Sequence, residues 1–99
     1  MAGWEAEENR TQLSNKVDEL RTQLKKQRET IDYFTSAALR EADELHRNAL
    51  TLYQESETGI AELIQSLNSA RDIRRNYIES LRDYLILTIE LELYTETLN

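Results

Sequence analysis

Few side chains in this sequence are suited to chemistry, and the best candidates are Asp43 and His46. At three residues apart, a carboxylate and an imidazole share one helix face, as half of a metal-binding pair would. A metal site built on helices needs two or three further converging ligands, and His46 is the only histidine. Leu45 and Ala49 mark this neighbourhood as the edge of an apolar seam. We therefore predict a solvated histidine and no metal site.

Nucleophilic and phosphate chemistry are also poorly supplied. The chain has serines and threonines but no cysteine and one histidine, so a nucleophile has almost no base to activate it. Its two glycines, Gly3 and Gly59, cannot form a glycine-rich phosphate loop. Basic clusters at residues 25–28 and 71–75 lie in a chain of net charge −7, which favours charged helix faces over phosphate-binding surfaces. We predict that the chain is not an enzyme, takes no cofactor and binds no nucleic acid.

The length and composition favour one helical domain. The chain has 99 residues and no proline, and the scarcity of proline and glycine suits long helices. No apolar stretch approaches the roughly 20 residues of a membrane-spanning helix. No signal peptide is visible at the start of the sequence. We therefore expect that this segment does not insert into a membrane by itself.

Apolar residues recur at alternating four- and three-residue intervals in the first half, which is typical of a coiled-coil helix. One row repeats every seven residues and consists of Val17, Leu24, Ile31, Ala38, Leu45 and Leu52. The other row breaks at Gln27 and then steps through Phe34, Ala38 and Ala42. This step is a local stutter, which relaxes left-handed supercoiling. The pattern predicts a helix over about residues 9–54, after a flexible N-terminus at residues 1–8.

The second half carries a broader apolar stripe. Its main row consists of Leu63, Ala70, Tyr77, Tyr84 and Leu91. Beside that row lie Ile60, Ile64, Leu67, Ile78, Leu81 and Leu85. A stripe of about 100° is wider than a two-helix seam requires, which indicates more than one neighbouring helix. We predict a helix over about residues 58–93, capped by Ser56 or Thr58, although the alternation after Leu87 also fits a strand.

Between the two segments, residues 54–59 carry no large apolar side chain, which predicts a tight corner. The predicted fold is all-α, a long antiparallel two-helix coiled-coil hairpin over residues 9–99. With the corner centred near Ser56, Ala42 faces Ala70, and Ala38 lies near Tyr77. Two helices bury little surface, so we also expect the hairpin to self-associate.

Several stretches resemble, in order and spacing, the TolC-like outer-membrane efflux family, especially the branch that works with heavy-metal and drug pumps. They are IDYF at 31–34, ADEL at 42–45, LYQ at 52–54, ELIQSL at 62–67, DIRRNYIESL at 72–81 and IELE at 89–92. The similarity covers roughly residues 10–95. It implies the second long helical hairpin of a protomer, at the periplasmic end of an α-helical barrel built from three protomers.

The resemblance also implies functional positions. The corner is similar to the tip that meets the helical hairpins of a periplasmic adaptor protein, and through it an inner-membrane pump. The implied adaptor-binding residues are Tyr53, Gln54, Glu55, Ser56, Glu57, Thr58, Gly59 and Ile60. Glu62 falls where members of the family place an acidic residue lining the pore. Gln65 stands where some members carry a second carboxylate.

This sequence departs from the family pattern in two respects. Ser56 stands where the family usually has glycine, and the glycine at the position of Gly59 occurs only in some members. The sequence also shows no β-strands for an outer-membrane barrel and no first hairpin. We therefore expect a fragment, derived from a parent of the outer membrane and periplasm, that trimerises in the parent and dimerises alone. The alternative is a stand-alone soluble coiled-coil interaction module that forms a dimeric four-helix bundle.

Overall fold

A computed structural model, which describes the backbone of residues 2–98 and the side chains of residues 7–97, shows an all-α helical hairpin. Helix α1 spans Ala2–Tyr33, a π-helical turn spans Phe34–Ala38, and helix α2 spans Leu39–Gln54. After the corner, helix α3 spans Ile60–Leu98. No residue from 2 to 98 is in a β-strand. The predicted fold class is therefore confirmed.

The predicted helix ends agree with the structure at the corner and differ from it at the two outer ends. The first helical segment begins at Ala2 rather than near residue 9, so residues 2–8 belong to α1, whereas Met1 lies outside the described residues. Helix α3 begins at Ile60, within two residues of the predicted start, and it continues to Leu98 rather than ending near 93. The chain has no proline and no glycine after Gly59, so nothing in the sequence interrupts α3.

The end of the chain also resolves the choice between helix and strand. On a helix, residues four apart share a face, and residues two apart point in different directions. Leu87 and Leu91 are half-buried, whereas Ile89 and Leu93 are exposed. The alternation therefore arises because two sides of one helix are apolar, and a strand without a partner would have left its hydrogen-bonding edge bare.

The predicted stutter lies where the structure has its π-helical turn. The backbone N–H of Leu39 donates to the carbonyl of Phe34, five residues earlier, instead of four as in an α-helix. At about 100° per residue, two successive four-residue steps would carry the seam about 80° around an α-helix. The wider π turn reduces that drift and keeps Phe34, Ala38 and Ala42 on the covered side. The irregularity was thus correctly located, but the helix accommodates it by a π turn.

The described contacts divide the chain into two compact units. The central unit, residues 30–81, has a narrow core with many small residues. Its buried residues are Ala38, Ala42, Ala49, Leu63 and Ala70. Ala42 and Ala70 are completely buried, as the predicted alignment requires, and small side chains let two helices approach closely. The ring centroids of Phe34 and Tyr77 lie 5.8 Å apart, so α3 packs against the π turn.

The terminal unit consists of residues 1–29 with 82–99. Among its described side chains, Val17 and Leu20 are buried, and Leu20 is almost completely enclosed. Arg28 donates a hydrogen bond of 3.0 Å to the hydroxyl of Tyr84 and lies over its ring, with 5.9 Å from the guanidinium carbon to the ring centroid. The hydrogen bond and the cation–π contact together link α1, near the end of its part in this unit, to α3.

Substitution of Ala42 by leucine tests the close packing of the central unit. Ala42 is completely buried, so a larger side chain must force the helices apart or leave its preferred rotamer, at a cost of about 1–3 kcal/mol. We expect a lower midpoint in thermal unfolding followed by circular dichroism. The control is Ala61→Leu on the exposed side of α3, for which we expect almost no change. Equal stability of the two variants would contradict this packing.

Candidate functional site

The corner after α2 closes through three backbone hydrogen bonds. The N–H of Glu55 donates to the carbonyl of Thr51 at 3.0 Å, as in the helix before it. The N–H of Ser56 donates to Tyr53 at 3.0 Å, and the N–H of Glu57 donates to Leu52 at 2.9 Å. These last two bonds form a Schellman motif, in which the residue after the helix adopts a left-handed conformation.

Ser56 is that left-handed residue, with a φ of 60°. It is the only non-glycine residue with positive φ in the part of the chain that the structure describes. Glycine is usual at this position because a Cβ atom crowds the following carbonyl oxygen in a left-handed conformation. The corner therefore forms at a site where serine carries conformational strain.

The predicted caps of α3 are wrong. Ser56 ends the preceding helix instead of starting the next one, and α3 begins only at Ile60. The carbonyl of Gly59 accepts the N–H of Leu63 at 3.1 Å, which makes Gly59 the residue that precedes the first turn. Gly59 has no positive φ, and a Cβ atom added there would meet nothing within 4 Å. Of these two corner positions, the one with the left-handed conformation that suits glycine is occupied by Ser56, and Gly59 stands where a residue with a Cβ atom also fits.

The predicted adaptor-binding residues form one exposed surface around this corner, which we call the tip surface and define as residues 53–60. All of its side chains are exposed except that of Thr58, which is half-buried. Tyr53 and Ile60 contribute large apolar groups, and the exposed fraction of Ile60 is 56%. The structure therefore brings the predicted set together on one surface, and its adaptor-binding role stays a prediction.

The tip surface and its surroundings are acidic. Between Arg47 and Arg71 the sequence contains Glu55, Glu57 and Glu62 but no lysine, arginine or histidine. All three glutamates are exposed. A surface with one sign of charge around apolar groups attracts a partner surface of the opposite sign.

Glu62 and Gln65, the predicted pore-lining residues, are both exposed on α3. At three residues apart they share one helix face, on a different side from Ile60 and Ile64. Glu62 lies in the first turn of α3, where the helix dipole favours a negative charge. One chain cannot enclose a pore with these two side chains, so their role stays a prediction.

Asp43 and His46, the pair with spacing suited to metal binding, have other surroundings in the structure. The carboxylate of Asp43 accepts a hydrogen bond of 2.8 Å from Arg74 across the hairpin. The ring of His46 is half-buried rather than fully solvated, because it lies at the edge of the seam. Among the described side chains, residues 7–97, no three histidine, aspartate or glutamate side chains are grouped so that they could hold a metal ion.

Sequence reasoning missed most of one surface in the terminal unit. Four large apolar side chains on α3 are roughly half to two-thirds exposed, namely Leu85 (60%), Ile86 (47%), Ile89 (56%) and Leu93 (58%). We call them the outer face of α3: Leu85 and Ile89 lie opposite Leu87 and Leu91, and Ile86 and Leu93 lie on the flank of that side, where each lines a shallow groove with α1. Only Leu85 was assigned to the broad stripe. The signal for the others was the apolar density of residues 84–93, where aliphatic side chains occur on every side of the helix.

No family model matches this chain, and comparison with curated proteins and with solved structures gives no significant match. The resemblance to TolC-like efflux proteins therefore stays a prediction from the sequence. None of the helices in the described part of the chain is both long enough and apolar enough to span a bilayer.

Replacement of Ser56 by glycine tests the strain at the corner. Glycine adopts the left-handed conformation without a steric penalty, so we expect Ser56→Gly to stabilise the hairpin by about 1 kcal/mol. For a chain of this length that gain raises the thermal midpoint by about 4–8 °C. The matched control is Ser56→Ala, which retains a Cβ atom and should show no gain. A glycine variant no more stable than the alanine variant would mean that Ser56 is unstrained.

Proposed function

We propose that this chain is a non-catalytic structural hairpin from the outer-membrane channel component of a tripartite efflux system. In this role it contributes two helices to the wall of a periplasmic helical tunnel and presents the tip surface to a periplasmic adaptor protein. The support is the sequence resemblance, together with an exposed tip surface, on a helical hairpin, that carries two glutamates and no basic residue. That surface is the observation that carries the proposal.

Docking at the tip surface follows from its chemistry. Tyr53 and Ile60 supply apolar contact area, and an exposed tyrosine adds a hydroxyl that hydrogen-bonds at an interface. Glu55 and Glu57 surround these groups with negative charge. The complementary partner is a helical surface with apolar pockets and a basic rim. Its association rate falls with increasing salt, because long-range attraction between opposite charges is screened.

A second candidate function is a free-standing module in which two hairpins form a four-helix bundle. The outer face of α3 favours it, because Leu85, Ile86, Ile89 and Leu93 are not covered by the chain itself. In this role the hairpin acts as an assembly element, and the tip surface has no required partner. The two candidates differ in which surface is essential, so substitutions on each surface distinguish them.

A triple variant of the tip surface tests the efflux proposal. We expect Tyr53→Ala, Glu57→Ala and Ile60→Ala together to weaken binding to the helical-hairpin domain of a periplasmic adaptor by at least about tenfold, because apolar contacts and one charge are lost. Biolayer interferometry with the immobilised chain, over a panel of adaptor hairpin domains and two salt concentrations, measures the change.

The chain supplies a matched control for each substitution. Tyr33, Ile78 and Glu79 are exposed residues of the same three types outside the tip surface, and their triple alanine variant should bind as well as the unmodified chain. If the tip variant kept full affinity for every adaptor domain that the unmodified chain binds, or if no such domain bound at all, the efflux proposal would be wrong.

A further inference from the structure

Residues 82–96 of α3 are apolar on two opposite sides, although the terminal unit provides only one neighbouring helix for them. Tyr84, Leu87 and Leu91 are half-buried on the side that faces α1. On the other side the outer face exposes four large aliphatic side chains. A helix that is apolar all round is normally enclosed by other helices. The outer face is therefore suited to packing against a further helix.

The order of residues along the outer face indicates what that further helix is. Arg82, Leu85, Ile89 and Glu92 follow one another at spacings of three, four and three, which is coiled-coil spacing. Along the chain, this order is one basic residue, two apolar residues and one acidic residue. Read in the opposite direction, the same order places the opposite charge at each end. Placed antiparallel, the basic end of one copy meets the acidic end of another while the apolar residues meet in the middle. Such complementarity selects a second copy of this chain.

We propose that two copies associate through the outer faces of their α3 helices, in an antiparallel arrangement centred at Leu87. In this register Leu85 of each copy packs against Ile89 of the other, and Arg82 of each copy pairs with Glu92 of the other. A symmetric interface of this kind is isologous, so each contact occurs twice. Ile86 and Leu93, on the flank of the same face, extend the apolar contact on one side.

The charged residues are available for this pairing. Arg82 forms an ion pair of 3.6 Å with the adjacent Asp83, and both side chains are largely exposed. Such an exposed pair contributes little to stability, so its exchange for Glu92 of a second copy costs little. Glu92 is exposed as well. At the interface, apolar neighbours on both sides reduce the solvent screening of the new pair.

This inference rests on the second candidate function, self-association, and specifies its surface, direction and register. It does not involve the tip surface. Tip variants and outer-face variants therefore give independent results: a chain that dimerises by another surface refutes this inference alone, and a chain that stays monomeric at high concentration refutes self-association altogether.

Charge reversal measured by sedimentation equilibrium tests the register. We expect Arg82→Glu and Glu92→Arg each to raise the dimer dissociation constant by about tenfold or more, because each creates two like-charge contacts per dimer. The double variant restores the opposite charges in exchanged positions, and we expect a dissociation constant within about threefold of the original. Leu85→Ala should weaken the dimer by about tenfold as well, since two leucines leave the interface.

A competing register is tested with the same substitutions. Arg75 is also exposed on α3, and a shifted antiparallel alignment would pair it with Glu92 instead of Arg82. If Arg75→Glu rescued Glu92→Arg and Arg82→Glu did not, the proposed register would be wrong. Circular dichroism of every variant establishes that the helices remain folded, so loss of association is not mistaken for unfolding.

Crosslinking tests the direction of the two helices. The chain has no cysteine, so Leu85→Cys and Ile89→Cys each introduce a single thiol. In the proposed dimer, a mixture of the two variants gives a disulfide between position 85 of one copy and position 89 of the other upon mild oxidation. A parallel arrangement instead crosslinks each variant to itself. If each single variant crosslinked mainly to itself, the antiparallel proposal would be wrong. A chain with both substitutions should crosslink only into dimers, so crosslinked trimers would also overturn the proposal.

Discussion

Two helices that pack as a hairpin share a single seam, which limits how much apolar surface they can bury. The other features of this molecule follow from that limit. The seam in the central unit is lined by Ala38, Ala42 and Ala70, which let the helices approach closely but contribute little apolar area each. Larger side chains in the terminal unit, such as Leu20, bury more. Apolar residues that do not fit along the seam remain on the surface, where they are available to other chains.

The conformation of the corner is determined by packing along the seam. A serine in a left-handed conformation is unfavourable by itself, yet Ser56 adopts it because the backbone must reverse between Gln54 and Ile60 for the two stripes to meet. The Schellman bonds and the packing beyond the corner offset that strain. The π turn at Phe34–Ala38 is a second adjustment of the same kind, in which a regular α-helix gives way so that the seam stays covered.

The sequence allowed the hairpin, the place of the corner and the place of the helical irregularity to be predicted, because each leaves a mark on apolar spacing. It did not allow the end of α3 to be predicted, since no proline or late glycine stops that helix. Local signals also misassigned Ser56, which is a common capping residue but here closes the helix before the corner. The pairing of Asp43 with Arg74 depends on the fold, because the two residues are distant in sequence and meet only across the hairpin.

The distribution of charge separates the two surfaces through which this hairpin can act. Around the corner, Glu55, Glu57 and Glu62 occur without any basic residue, so two tips of this chain repel each other and a basic surface would complement them. Along the outer face of α3, by contrast, Arg82 and Glu92 lie on either side of aliphatic residues, an order that is complementary to itself. A surface of one charge sign selects against copies of the same chain, whereas a surface with both signs in reversed order selects for them. The two surfaces therefore differ in the kind of partner that their charges favour: a basic surface at the tip and a second copy of the chain at the outer face.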